Sequence, residues 1–162
     1  MLPIVHRIQG AGHDVQLHAH PCWSLFEHED WWERASALRR RDDFSGRSVE
    51  DSVRLIEQGI STFRDWGLPR PLAFRSGNLQ HDDNLYRALA RTGIPYSSNV
   101  AVGIFNKGDP NYLLYSGQHE RHGVIECPVL TYSDWAIGSK QHVKSLTIAG
   151  ASFRESRHLL EK

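Results

Sequence analysis

Residues 14–20 read Asp-Val-Gln-Leu-His-Ala-His, which sets His18 and His20 two positions apart at the end of an alternating apolar–polar run. A strand rises about 3.3 Å per residue, so residues two apart share a face, with Cα atoms about 6.6 Å apart. Two imidazoles on one face can meet a single divalent ion at about 2.1 Å from each nitrogen. The plainer alternative is a pair of partly exposed histidines that only hydrogen-bond to neighbours. Asp14 faces the same way as His18 but stands about 13 Å back along an extended strand, too far to share the ion. Cys22 joins His18 only if the chain curls, and Pro21 favours a bend there. A catalytic zinc takes three protein ligands and an open water position, so a two-histidine site needs a further ligand from elsewhere.

Other residues with chemistry to offer lie near the ends of expected strands. Arg75 closes the short apolar run 71–75, and His81 follows it in the polar loop "SGNLQHDD". His81 either reaches toward a pocket or, with Asp82, simply caps a helix. Glu126 sits between apolar residues in "GVIECPV" and alternates away from Ile125; a glutamate on a buried strand is unusual without a partner, so it is expected to point inside a barrel of strands, into a pocket. Trp23 opens an aromatic segment, 21–35, that lines a pocket or packs on the surface. Tyr96 reads as core, and His119, His122, His142 and His158 as surface histidines.

The elements that must position these residues are readable in outline. Residues 1–10 look like the end of a helix stopped by Gly10 and Gly12, and 14–18 a short strand. A helix is expected over about 30–40. Ser48 and Asp51 form an S-x-x-D helix start, with Val49, Val53, Ile56, Ile60 and Phe63 spaced by threes and fours, and Gly67 and Pro69 end it. Asp82 or Asp83 caps a second helix carrying Leu85 and Leu89, Gly93 stops it, and "IPYSSNVAV" returns as strand. A hairpin-like pair over 111–117 and 122–132 and a last helix over 152–162 complete the reading. Strand and helix alternating at short intervals predict βαβ units and a parallel sheet, with the site at the carboxyl ends of its strands.

Composition narrows the function classes. Lys plus Arg and Asp plus Glu number 19 each among 162 residues, so no basic excess marks the chain for nucleic acid. The run Arg39-Arg40-Arg41-Asp42-Asp43 changes sign within itself and reads as a solvated helix end or loop. No stretch reaches the roughly 18 apolar residues of a membrane span. The two cysteines, Cys22 and Cys127, form no CxxC and are expected as reduced thiols in a cytoplasmic protein.

The stretches "GHDVQLHAHP", "GLPRPLAFRSGN", "DDNLYRALARTGIPYSSN" and "GVIECPV" follow one another in the order and spacing of the polysaccharide deacetylases, the NodB-homology carbohydrate esterases. Over residues 1–132 the chain resembles that family, and most of all its branch among bacterial surface-polysaccharide (O-antigen) genes. The resemblance implies an α/β fold, a distorted (β/α) barrel. It implies a divalent metal, commonly zinc, and hydrolysis of an acetyl group from a sugar of a surface polysaccharide or its precursor. His18 takes the place of the family's first metal histidine. The second falls at Cys22, so His20 is the replacement ligand. Arg75 matches the arginine that orients the catalytic aspartate, here followed by Ser76, Gly77 and Asn78. Trp23, His81 and Glu126 are the candidates for contact with the sugar. The family's aspartate pair would precede Met1 and its last histidine would follow Lys162. The expectation is therefore one domain over 1–162 without the first and last barrel strands, feebly active and self-associating through exposed sheet edges. The alternatives are a carbohydrate-binding or assembly protein on the same scaffold, and a metal-free amide hydrolase.

Overall fold

A computed structural model describes residues 2–38, 42–137 and 140–147, with Arg154 and Arg157. In chain order the elements are α1 (Leu2–Gly10), β1 (Leu17–Ala19), a 3-10 segment Pro21–Glu27, α2 (Trp31–Leu38) and α3 (Val49–Asp65). Then come β2 (Ala73–Ser76), a 3-10 turn Gly77–Leu79, α4 (Asp83–Arg91), β3 (Tyr96–Ser97) and a second such turn, Pro110–Tyr112. The hairpin strands β4 (His119–Arg121) and β5 (Val124–Glu126) and the ribbon strands β6 (Thr131–Ile137) and β7 (Lys140–Ser145) complete it.

Five strands form one sheet in the order β1-β2-β3-β5-β4; β1, β2, β3 and β5 run parallel and β4 antiparallel to β5. Parallel neighbours need crossovers, and α3 and α4 supply the first two. The Ser48 hydroxyl accepts the Asp51 N–H at 3.1 Å, and the Asp82 carboxylate accepts the Leu85 N–H at 3.1 Å, so both helices start on side-chain caps. Both stop on a left-handed glycine with paired closing bonds: Gly67 N–H to Arg64 and Leu68 N–H to Phe63, then Gly93 N–H to Ala90 and Ile94 N–H to Leu89. This ending turns the chain sharply back toward the sheet.

Alternation along the strands sorts the side chains. Leu17, Phe74 and Val124 are buried with Ile56, Ile60 and Phe63 of α3 and Leu85, Tyr86 and Leu89 of α4. His18, Arg75 and Tyr96 point the other way and are exposed. The helices therefore cover one face, and the opposite face of this parallel sheet is open among the described residues. The α/β class and parallel sheet agree with the sequence reading, and the sheet does not close on itself within the described residues. No helix among them is long and apolar enough to cross a membrane.

Tyr96, read as core, is 47% exposed because alternation turns it to the open face, and the further differences fall after Ser97. Most of "IPYSSNVAV" is loop, and the hairpin is the shorter pair β4–β5, turned by His122 and Gly123 at φ 51° and 81°. The long antiparallel ribbon is β6–β7; the Thr131 and Ser145 hydroxyls, 2.7 Å apart, join its two strands, and it is held to the rest by the Gly103 N–H to Ser145 Oγ at 3.0 Å and the Thr131 N–H to the Tyr115 carbonyl at 2.8 Å. It stands on a small second cluster of Val100, Val102 and Leu114 with Tyr112 and Val143. The helix expected over 152–162 lies outside the described residues, Arg154 and Arg157 apart.

Candidate functional site

The parallel strands end on one edge of the molecule, and His18 pairs in register with Arg75 of the neighbouring strand. His18 gives Nδ1 to the Arg75 carbonyl at 2.9 Å. A carbonyl only accepts, so Nδ1 carries the proton and Nε2 keeps its lone pair when the ring is neutral. His18 is exposed by area, yet burial of part of its ring lowers its pKa below 6.5; the His20 and Arg75 charges add to this against the Arg75 carbonyl.

Past the end of β1 the chain turns at Pro21, and the His20 ring lies 5.0 Å from the His18 ring, perpendicular to it. The partner of His20 is Asp42, from the loop before α3: Nδ1 to Oδ2 is 2.8 Å, with both side chains about three-quarters buried. The other Asp42 oxygen accepts the Cys22 N–H at 3.1 Å. Trp23 stacks on His20 with ring centres 5.3 Å apart. On another side His20 meets backbone: a Cβ added to Gly77 would stand 2.4 Å from its Nδ1, so only glycine fits there.

The ligand atoms of His20, Cys22 and Asp42 lie within 4.8 Å of one another. His18 stands next to this group without belonging to it. Burial, and then the hydrogen bond and negative charge of Asp42, push the Cys22 thiol up to about 11. Burial works against the Asp42 charge, but hydrogen bonds from Cys22 and His20 outweigh it and hold the carboxyl below its ordinary value. Imidazole, thiol and carboxylate in reach of one another are a donor set suited to zinc.

Arg75 reaches across to the end of β3, where Nε donates to the Ser98 carbonyl at 3.1 Å and Nη2 to its hydroxyl at 2.8 Å. A cavity of 510 Å³ on the open face is walled by Arg75, His18, Gln16, Ala73 and Ser98. A second, of 320 Å³, lies between β1 and α3; Leu17, Phe44, Phe63 and Trp66 line it, with His18, His20 and Trp23 at its polar side.

Two of the expected sugar contacts lie elsewhere. Glu126 alternates onto the helix face, opposite Arg75, and is fully buried against α4. His81 is 5% exposed, packed on Tyr86, Phe105 and Tyr112, with Nδ1 against the Leu79 carbonyl at 3.0 Å. Trp23 alone of the three is beside His18 and His20. Sequence reasoning missed Asp42, which it took as part of a solvated charge run. Its role depends on a contact across 22 residues that no local pattern announces.

Compared with protein-family models, with curated proteins and with solved structures, the chain matches none.

Proposed function

We propose that the chain is a metal-assisted hydrolase that removes an acetyl group from a sugar of a surface polysaccharide or its precursor, on a distorted barrel scaffold like that of the polysaccharide deacetylases. The observation that supports this reading is the meeting of His18, His20 and Arg75 at the carboxyl ends of adjacent parallel strands. A divalent ion beside His20 would polarise the acetyl carbonyl and make bound water acidic near neutral pH. His18, with Nδ1–H given to a carbonyl, offers the Nε2 lone pair to the proton of the attacking water. Arg75, held by Ser98 at Nε and Nη2, keeps Nη1 for the oxygen that gathers charge. Trp23, 55% exposed, gives a sugar ring an apolar surface.

The same exposed tryptophan favours a second reading, carbohydrate binding without hydrolysis. Acetate release from N-acetylhexosamine oligomers, with zinc or cobalt supplied, separates the two. The hydrolase reading expects slow release that falls by about 10²-fold or more in His18→Ala. Sugar binding with no release by the metal-loaded chain selects the second reading.

A further inference from the structure

We propose that His20, Cys22 and Asp42 are the protein ligands of one divalent cation of the zinc class, with the fourth position open. This deepens the hydrolase reading: it names the ligands and leaves His18 off the ion. Donors about 2.0–2.3 Å from a tetrahedral zinc stand roughly 3.3–3.8 Å apart. The three ligand atoms already lie within 4.8 Å of one another, and the His20–Asp42 contact of 2.8 Å has to open by under 1 Å. Side-chain rotation covers both adjustments.

The donor chemistry is complete as it stands. A neutral imidazole, a thiolate and a carboxylate carry two negative charges against the two positive charges of the ion. The Cys22 thiol releases its proton to solvent as the sulfur–metal bond forms. The His20 proton moves from Nδ1 to Nε2, freeing the Nδ1 lone pair that now faces Asp42. A thiolate favours zinc, cobalt or cadmium over magnesium and calcium, which take oxygen ligands.

The surroundings hold these groups in place before any ion arrives. Asp42 ties the His20 ring and the Cys22 backbone together, while the backbone at Gly77 and the ring of Trp23 confine His20 on two further sides. A site fixed in this way loses little freedom on binding. Neither His18 nor the second cysteine, Cys127, enters the group of ligand atoms, which makes both usable as controls.

The test is a titration of the full chain, stripped of metal with a chelator, with cobalt(II). Thiolate ligation gives a charge-transfer absorption in the near ultraviolet, and four-coordination gives intense visible bands. Both should appear and saturate at one cobalt per chain, persist in Cys127→Ser and His18→Ala, and resist excess magnesium. Cys22→Ser should abolish the thiolate band. Asp42→Asn should weaken binding by at least about 10-fold, the smaller loss seen when even an outer-shell partner of a metal ligand is removed. A thiolate band that survives Cys22→Ser, or no band in wild-type chain whose circular dichroism shows it folded, overturns the assignment. Should Cys22→Ser not fold, wild-type chain answers by alkylation mapped by mass spectrometry. Cobalt must protect Cys22 and not Cys127, and unprotected Cys22 overturns the assignment. Cobalt bound as described without acetate release removes the hydrolase reading and leaves this site standing. Acetate release undiminished in Cys22→Ser and Asp42→Asn, together with no thiolate band in folded wild-type chain, does the reverse.

Discussion

Glu126 carries a carboxylate into the interior and meets four donors there. Tyr86 Oη donates at 3.0 Å and the Ser97 hydroxyl donates to the same oxygen; the Asn99 and Val100 N–H groups donate to the other at 2.8 and 2.9 Å. Those bonds fix the chain just past β3, including Ser98, the anchor of Arg75. Glu126→Gln leaves donors facing an amide and should cost about 3 kcal/mol in urea unfolding, as breaking a buried charged network does. Tyr86→Phe removes one donor and should cost about 1 kcal/mol. The need of Glu126 for a partner was legible in the sequence, since a glutamate between apolar strand residues cannot stay bare. Its direction was not: strand alternation is visible, but which face the helices cover depends on packing. His18 and His20 were legible as neighbours because two residues on an extended chain must be neighbours. Asp42 was not, because its partner is distant in sequence.

At the level of elements, α3 and α4 could be drawn from the sequence almost to the residue, because cap, apolar period and closing glycine agree. The ribbon β6–β7 could not. Its strands mix polar and aromatic residues, and its attachment lies in single bonds from Ser145 to Gly103 and from Thr131 to Tyr115 across the fold. Helix α4 is joined to the β4–β5 hairpin by Asp83, whose carboxylate meets His122 Nε2 at 2.7 Å and Arg87 at 3.0 Å. The hydrogen bond to His122 lowers the Asp83 pKa from its ordinary 3.8, with Arg87 adding to the effect. The depressed pKa means that the unfolded chain binds this proton first. The stabilisation is thus present above about pH 4 and is lost as pH falls through the folded value. Asp83→Asn should lower stability at neutral pH and flatten its decline below about pH 4, measured as Tm against pH. The group is exposed, so the difference should shrink in high salt.

Across the whole molecule, apolar burial is uneven. The cluster between the helices and the sheet holds Phe44, Ile56, Phe74, Leu85, Tyr86 and Leu89 at 0–1% exposure, whereas the cluster beneath the ribbon has three buried members among the described residues. Local opening follows local burial, so the two regions should differ in hydrogen exchange. Amides of β6 and β7 are expected to exchange well before those of α4 and β2. Ser145→Ala should speed the ribbon further and leave the sheet unchanged. Equal protection in both regions would show that the two clusters open as one unit.

The contact of Asp42 with His20 and Cys22 has a mechanical consequence. It fastens Cys22, just past β1, to Asp42, 20 residues further along the chain and shortly before α3, so the connection between strand and helix is tied back to its own start. Closing such a ring costs chain entropy only logarithmic in its length, which a few bonds can meet. A cation at the fastening point would turn a clasp of hydrogen bonds into one of metal–ligand bonds, tightening a connection that already holds without it.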